Sequence, residues 1–363
     1  MRKTVVALGL AFVFLAALGP SVGAQTNSVD FVLPNNPQTQ ALITATGMTQ
    51  AQLQTFLTGK LDQLFQVTNA ASFIRNFGDA QSFTSKGLGV DYASEATYFE
   101  VGGSASFALG MDRTYQPGST QGYPIQGVGL NATVMAGASL GFLGIPVMVF
   151  GNWMQVPTQR YGEMSGKLDN WGIHAQLRLF GPSRKTTGLK ALVRWGGVAI
   201  TSGFDSSHMG LGVSRDVSSN FGIPSSVTNG VNVDVTGDAT GNAVFKIDMT
   251  TRSIPVEVTT SVRLLTLLTA YGGLGFDWQL GGGSALDLAM NASMIAHIPG
   301  QPDANLGTAF VHATSHVDPS AAKIRGILGA QVDLWLIRLF TQVNIANTNP
   351  TMASLAVGAR VAY

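Results

Sequence analysis

The last eleven residues of the chain, Ala353 to Tyr363, read Ala-Ser-Leu-Ala-Val-Gly-Ala-Arg-Val-Ala-Tyr. Side chains alternate between the two faces of a β-strand, so every second residue from Leu355 to Tyr363 shares one face, and that face is apolar. The opposite face carries small residues and Arg360. The pattern predicts a β-strand with one apolar and one polar side that ends on an aromatic residue.

The same period of two recurs along the chain from about residue 96. Its clearest example is Ile254 to Leu264, where Ile, Val, Thr and Leu alternate with Pro, Glu, Thr, Ser and Arg. Ten further segments alternate in this way: Phe99–Leu109, Val128–Leu140, Val147–Trp153, Trp171–Leu179, Leu189–Ala199, Ala270–Leu280, Leu286–Met294, Leu306–Ser315, Ile324–Leu334 and Leu339–Ile345. Many are longer than the roughly 5 or 6 residues typical of strands in soluble sandwiches. They have the length that a tilted membrane-spanning strand needs.

Composition excludes several classes of protein. Charged residues make up 11% of the 363 residues, whereas soluble domains have roughly 25%. Apart from a segment at the amino terminus, no uncharged apolar run approaches the roughly 18 residues of a membrane-spanning helix. The chain has no cysteine, which excludes a disulfide scaffold.

The first 24 residues have the plan of a secretory signal peptide. Arg2 and Lys3 precede the apolar run Thr4–Gly19, and Val22-Gly23-Ala24 supplies small residues before Gln25. Cleavage there reduces the basic residues from 21 to 19 against 20 acidic ones, a net charge of −1. The exported chain therefore has no basic excess that would indicate nucleic-acid binding.

The terminal strand resembles the closing strand of bacterial outer-membrane β-barrels. In that family a glycine is followed three residues later by a hydrophobic residue and then by a terminal aromatic, and Gly358, Val361 and Tyr363 have this spacing. The resemblance implies an all-β fold: a transmembrane antiparallel β-barrel of about 12 strands (12–14) over residues 96–363, in the bacterial outer membrane. It also implies outer-membrane lipid and the barrel-assembly machinery as partners.

Most predicted connections alternate between long and short, as the two rims of such a barrel require. The exceptions are Gly281–Ser284 and Asn347–Met352, which fall on the long-loop rim but are short. The longest, Thr201–Arg252, is rich in Gly, Ser, Asn and Asp, and we predict a loop there. A fourteen-strand version would fold Val231–Thr250 into an extra hairpin.

Residues 25–95 show a helical period instead. Thr49-Gln50-Ala51-Gln52 is typical of a capping box, and Leu53, Phe56, Leu57, Leu61, Leu64 and Phe65 follow on one face. A second short helix is predicted from Asn69 to Phe77, with Gly78 as its stop. We interpret this segment as either a plug inside the barrel or a periplasmic cap.

The polar faces of the strands predict the lining of the lumen. The candidates for the lumen lining or a constriction are Arg178, Lys190, Arg194, Arg263, Arg338, Glu257 and Asp333. Five of them, Arg178, Lys190, Arg263, Asp333 and Arg338, are predicted to lie toward the tight-turn end. Their basic excess indicates a porin-like channel for passive passage of small polar or anionic solutes. The alternative is a non-conducting structural or surface-binding barrel that acts through the loop 201–252.

Enzymatic chemistry has little support in the sequence, so we expect no enzyme, cofactor or metal. His174 is predicted to point inward, and no pattern marks a serine–histidine triad. His312, His316 and Asp318 are metal-ligand types, but on a strand their spacing only places the two histidines on one face.

Overall fold

The computed structural model describes residues 25–65, 70–93, 98–111, 125–181, 192–224, 235–265, 267–348 and 351–363. The predicted signal peptide lies outside them. The helices are α1 (Pro37–Thr46), α2 (Gln50–Phe65) and α3 (Ala70–Thr84), with a short 3-10 turn at Gly141–Leu143. The strands are β1 (Gln25–Phe31), β2 (Phe99–Met111), β3 (Ile125–Ser139), β4 (Val147–Tyr161), β5 (Met164–Phe180), β6 (Val193–Ile223), β7 (Val235–Leu264), β8 (Leu268–His297), β9 (Ala304–Val317), β10 (Ala322–Leu334), β11 (Ile337–Ala346) and β12 (Thr351–Ala362).

All twelve strands belong to one antiparallel sheet, and ten of them close into a barrel. Neighbours pair in chain order from β2 to β8, β8 pairs with β10, and β10, β11 and β12 follow in turn. The terminal strand β12 then pairs with β2 from Thr351↔Met111 to Ala362↔Glu100. The predicted antiparallel barrel is therefore confirmed. Its shortest pairing is that of β3 with β4, which runs only from Val134↔Trp153 to Ser139↔Met148.

The outward face of the barrel is the apolar face of the alternation. Leu130, Ile173, Leu274 and Leu328 are all exposed there, although each is strongly hydrophobic. Trp171 lies at one border of this band, with its ring centroid 5.1 Å from that of Phe204. Outer-membrane β-barrels face the lipid with an exposed apolar band that has aromatic residues at its border. This protein is an outer-membrane β-barrel. Among the described residues, no helix has the length and apolar character needed to cross a membrane.

The identity of two strands differs from the prediction. Ala270–Leu280 and Leu286–Met294 are parts of the single strand β8, because Gly281 and Gly282 form an irregularity within it and not a turn. Their φ angles are +126° and +132°, which glycine adopts without strain. The twelfth strand of the sheet is instead β1, which pairs with β9.

The predicted loop 201–252 is wrong. Residues 201–223 continue β6 and residues 235–252 begin β7, and the two pair without interruption from Asp205↔Ser253 to Ile223↔Val235. With the second half of β8, β9 and β1, they form a sheet that continues one side of the barrel wall beyond its mouth. We call this sheet the extension.

Helices α1 and α2 cover the lumen-side face of the extension. Leu42, Leu53, Leu57 and Leu61 are fully buried in one cluster with residues of β6 to β9, among them Met294. The predicted capping box is present: the backbone N–H of Gln52 donates to Thr49 Oγ1 at 3.2 Å, and that of Thr49 donates to Gln52 Oε1 at 2.8 Å. The apolar stripe of α2 thus buries against the extension.

Candidate functional site: a charged plug in the lumen

Helix α3 and the turn that follows it lie inside the barrel. α3 contacts the barrel strands β2, β3, β6, β7, β8 and β12, and also β9 of the extension. Residues 78–93 are all buried. We call residues 70–93 the plug. Its helix continues through Gly78, so the predicted stop there is wrong: Gly78 faces Ser284, whose hydroxyl would collide with any side chain at that position.

Two glycines of β3 let α3 approach the wall. A Cβ on Gly129 would lie 2.6 Å from the backbone oxygen of Ala80, and one on Gly127 would collide with the backbone of Asn76. A helix can rest this closely on a strand only where the strand has no side chain. The glycines therefore fix where the helix lies.

Asp79 anchors the upper part of the plug. The wall strand beside β8 is interrupted between β9 and β10 at residues 318–321. Asp79 Oδ1 accepts the Ser320 backbone N–H at 2.9 Å, and Asp79 Oδ2 accepts its hydroxyl at 2.6 Å. The ammonium of Lys323 lies 2.8 Å from Asp79 Oδ1, with both side chains about 5% exposed. The carboxylate thus satisfies wall groups at this interruption.

Lys86 anchors the middle of the plug. Its Nζ lies 3.3 Å from Asp205 Oδ2 on β6 and donates to the hydroxyl of Ser253 on β7. The other oxygen of Asp205 lies 3.1 Å from Nε2 of His174 on β5. One plug cation therefore connects three neighbouring strands through a buried carboxylate, with Lys86 1% exposed.

Asp91 anchors the lower end. Its carboxylate lies 3.1 Å from Arg338 Nη1 and 3.7 Å from Arg360 Nη1. Arg360 also binds Glu100 at 3.2 Å. The two arginines of β11 and β12 are thus bridged by one carboxylate of the plug and one of β2.

Tyr92 completes the lower contacts. Its hydroxyl donates to Glu257 on β7, and Glu257 accepts from the guanidinium of Arg325. Nε of Arg325 also lies 3.0 Å from Asp277. All four side chains are buried. Unpaired charges at this depth would cost several kcal/mol each, so the pairing of wall and plug is a condition for the fold.

Four of the seven predicted constriction residues take part in this network. Arg263 Nη2 lies 2.5 Å from Asp333, and Arg338 Nε lies 3.8 Å from the same carboxyl group. Glu257 binds Arg325 and Tyr92, as above. Arg178 and Arg194 are half-buried on β5 and β6, and Lys190 lies outside the described residues.

A cavity of about 10 Å³ lies beside the lower end of the plug, bounded in part by Tyr92, Gln176 and Arg178. A volume of that size accommodates no more than one water molecule. This space is too small for a solute larger than water.

The plug charges were not identified by sequence reasoning. Asp79, Lys86 and Asp91 are single charges in a stretch of small and apolar residues, just after a predicted helix. In a chain with so few charges, that isolation is the signal that could have revealed them, because a lone charge between apolar residues needs a partner elsewhere in the fold.

The predicted assembly signal lies at the seam between β12 and β2. Val361 and Tyr363 are exposed on the lipid side, and the ring of Tyr363 lies 5.8 Å from that of Phe99. Gly358 lies under the ring of Phe340, which leaves no room for a Cβ.

A family model described as Lsa36-like matches residues 38–363. The match covers most of the chain, which therefore belongs to this family. No curated protein matches the sequence.

Solved structures with a similar fold are outer-membrane proteins of different kinds. The translocator domain of autotransporter NalP from Neisseria meningitidis is 14% identical, with a TM-score of 0.31, over 78% of this chain and 93% of that one. Ail, the attachment invasion locus protein of Yersinia pestis, is 9% identical, with a TM-score of 0.23, over 73% and 96%. The Ralstonia pickettii toluene transporter TbuX is 11% identical, with a TM-score of 0.23, over 82% and 100%. These values are too low to transfer a residue role or an activity.

Proposed function

We propose that this Lsa36-like barrel is a non-conducting outer-membrane protein that binds partners at the cell surface through its extension. The observation that carries the proposal is the seated plug, whose Asp79, Lys86 and Asp91 each pair with a wall charge. A lumen closed by buried ion pairs is unsuited to continuous passive flow. The extension, by contrast, presents an ordered sheet outside the membrane.

The direction of the extension supports a surface role. The β7–β8 and β10–β11 connections are tight turns at one rim, and the extension leaves the barrel at the opposite rim. In bacterial outer-membrane barrels the short turns are periplasmic and the longer elements are extracellular. The extension would then lie outside the cell.

A channel for small anionic solutes is the second candidate. The observation that favours it is the group of arginines at the tight-turn end, which includes Arg178, Arg194, Arg263 and Arg338. Conduction through this lumen requires the plug to leave. Attraction to these arginines and size exclusion would then set the selectivity, with no covalent chemistry.

Conductance separates the two candidates. The refolded chain 25–363 should give no steady single-channel current in a planar bilayer. A steady ohmic current would refute the non-conducting barrel. In that case Arg178→Glu with Arg194→Glu should reverse the anion preference, since wall charge sets ion selectivity.

Surface exposure has its own test, because the chain has no cysteine. Asn220→Cys places a thiol on the extension, and Phe142→Cys places one at a tight turn. A membrane-impermeant maleimide should label Asn220→Cys on intact cells and label Phe142→Cys only after the outer membrane is permeabilised. The reverse pattern would place the extension in the periplasm and overturn the surface role.

A further inference from the structure

The extension has an open strand edge on β6. The pairing of β5 with β6 ends at Met164↔Val213. The last bond on this side is donated by the backbone N–H of Ser214 to the oxygen of Glu163 at 2.8 Å. β6 continues to Ile223 and pairs with β7 throughout. Within the described residues, no strand pairs with the other side of β6 after Ser214.

Alternation identifies the backbone groups at this edge. In an antiparallel sheet, successive residues direct their N–H and C=O groups to opposite neighbours. The backbone N–H of Ser214 points away from β7. The backbone N–H and C=O groups of Asp216, Ser218, Asn220 and Gly222 therefore point away from β7 as well. The register of β6 with β7 has no irregularity over these residues. Within the part of the chain that the structure describes, four residues therefore offer donors and acceptors that no strand pairs with.

The other edge of the extension is β1, which has a neighbouring strand on one side only among the described residues. The edge of β9 is covered by the chain's own β1, from Gln25↔Ser315 to Phe31↔Ala309. Natural sheets commonly protect uncovered edges with charged residues, lysine above all, or with proline. Arg215 and Asp216 lie at the start of the β6 edge, and residues 217–223 contain no charged residue and no proline.

Two concave sites accompany the open edge. One, of about 330 Å³, is lined in part by Arg160, Glu163, Ser214, Asp216 and Lys246. The other, of about 460 Å³, is lined by Asp216, Val217, Ser218, Thr240, Gly241 and Asn242. They lie next to each other along β6 and share Asp216 and Asn242. Side chains on one face of an added strand recur at every second residue. The first site carries both cations and carboxylates, so it suits a polar or charged side chain.

A second copy of this chain does not fit the edge. Two barrels in one membrane are related by an axis along the membrane normal, so both β6 strands point away from the membrane in the same sense. Antiparallel pairing of two identical edges needs an axis perpendicular to the strands. The occupant must therefore be a strand with a free choice of direction.

We propose that the edge of β6 from Asp216 to Gly222 accepts an extended peptide segment of a partner protein. The segment runs antiparallel to β6, in line with β5, and places alternate side chains in the two concave sites. Backbone hydrogen bonds supply affinity and the concave sites supply selectivity, as in other cases of strand addition. This inference rests on the proposed surface role and specifies how that role is carried out.

The test uses a phage-displayed library of random nine-residue peptides, selected on the full chain refolded in detergent micelles. Selected peptides should bind Ser218→Ala within about threefold of wild type, because alanine removes the Ser218 hydroxyl from the second concave site but keeps the backbone donor. They should bind Ser218→Pro about tenfold or more weakly, because proline removes one edge donor and its ring obstructs the neighbouring hydrogen bond. Proline is tolerated at this position because the N–H of Ser218 has no partner strand. A heat-modifiable electrophoretic shift checks that the barrel has folded.

Amide exchange provides a readout that does not depend on a variant. In wild type, bound peptide should protect the amides of Asp216, Ser218, Asn220 and Gly222, which exchange quickly in its absence. Failure to select any peptide, or equal binding to Ser218→Pro, overturns the proposal. Disulfide-linked dimers of Asn220→Cys in membranes would overturn it in favour of a second copy. Labelling of Asn220→Cys on intact cells is a separate measurement, so failure of strand addition is distinguishable from failure of the surface role.

Discussion

Replacing Lys86 by methionine should release the plug. Lys86 is buried, and its ammonium lies 3.3 Å from Asp205. Methionine has a similar volume but no charge. Among the described residues, the ion-pair partner left to Asp205 is then His174, whose Nε2 lies 3.1 Å from the carboxylate. Removing one member of a buried ion pair costs ~3–5 kcal/mol. At ~1.4 kcal/mol per power of ten, the equilibrium between seated and displaced plug shifts by about two to three and a half powers of ten.

The rate at which a thiol on the plug becomes accessible measures this shift. Ser85 is buried next to Lys86, and Ser85→Cys introduces the only thiol of the chain. Maleimide should modify it about 100-fold or more faster in the Lys86→Met background, in proportion to the displaced population. The control is Lys86→Met with Asp205→Asn, which removes the uncompensated charge. The rate of thiol modification in this double variant should return to within about tenfold of wild type, because replacing both members of a buried ion pair by uncharged residues changes stability little. A Lys86→Met rate within threefold of wild type would refute the view that this pair holds the plug.

Two further predictions concern the wall and the extension. Gly129→Val should unseat α3 at a cost of ~1–3 kcal/mol from overpacking, and trypsin should then cleave after Lys86. Gly151→Val should not have this effect, because a Cβ there makes only an ordinary contact of 3.9 Å with the backbone oxygen of Gly172. The pKa of His297 is raised. The largest cause is the hydrogen bond that its Nδ1 donates to Asp303 Oδ1 at 2.7 Å. Because the pKa of His297 is higher in the folded state, its hydrogen bonds stabilise the fold fully below about pH 6.5, the ordinary pKa of histidine. This stabilisation is lost as the pH rises through the folded pKa. Amide protection of residues 297–303, corrected for intrinsic exchange, should therefore fall across that range in wild type and stay flat in His297→Gln.

The barrel wall was predictable because lipid imposes its pattern. Each wall strand exposes every second side chain to hydrocarbon, so residues such as Ile173 and Leu328 alternate with polar neighbours. The terminal strand β12 follows this rule over its full length, and its predicted faces match the observed burial. The period of two is therefore a direct record of contact with the membrane.

The extension was not predictable by the same rule because it leaves the membrane. Water contacts its outer face, so residues 214–220 need no apolar alternation, and their Ser, Asp and Asn resemble a loop. Strand β1 pairs through its backbone along β9, and its sequence, Gln-Thr-Asn-Ser-Val-Asp-Phe, shows no two-residue apolar period. Glycines at 281–283 are typical of a turn in sequence, but pairing with β7 holds them within a strand.

The site was partly predictable for a reason of parity. Alternation alone assigns Glu257, Arg263 and Arg338 to the lumen, because their neighbours face lipid. Their partners cannot be read in the same way, because Asp91 meets Arg338 across 247 positions of sequence. Pairing at that separation is a property of the closed barrel, and it turns predicted lining residues of a channel into contacts of a plug.

The terminal strand explains how plug and wall become one unit. When β12 pairs with β2, Arg360 comes opposite Gly102, and its guanidinium lies 3.2 Å from Glu100 and 3.7 Å from Asp91. The same guanidinium lies 4.3 Å from the ring centre of Phe340, and that ring occupies the space left by Gly358. Closing the seam thus buries one cation against a carboxylate of the first barrel strand and a carboxylate of the plug. Before the seam closes, Arg360 is not in place beside either carboxylate. Formation of the seam and seating of the plug therefore stabilise each other.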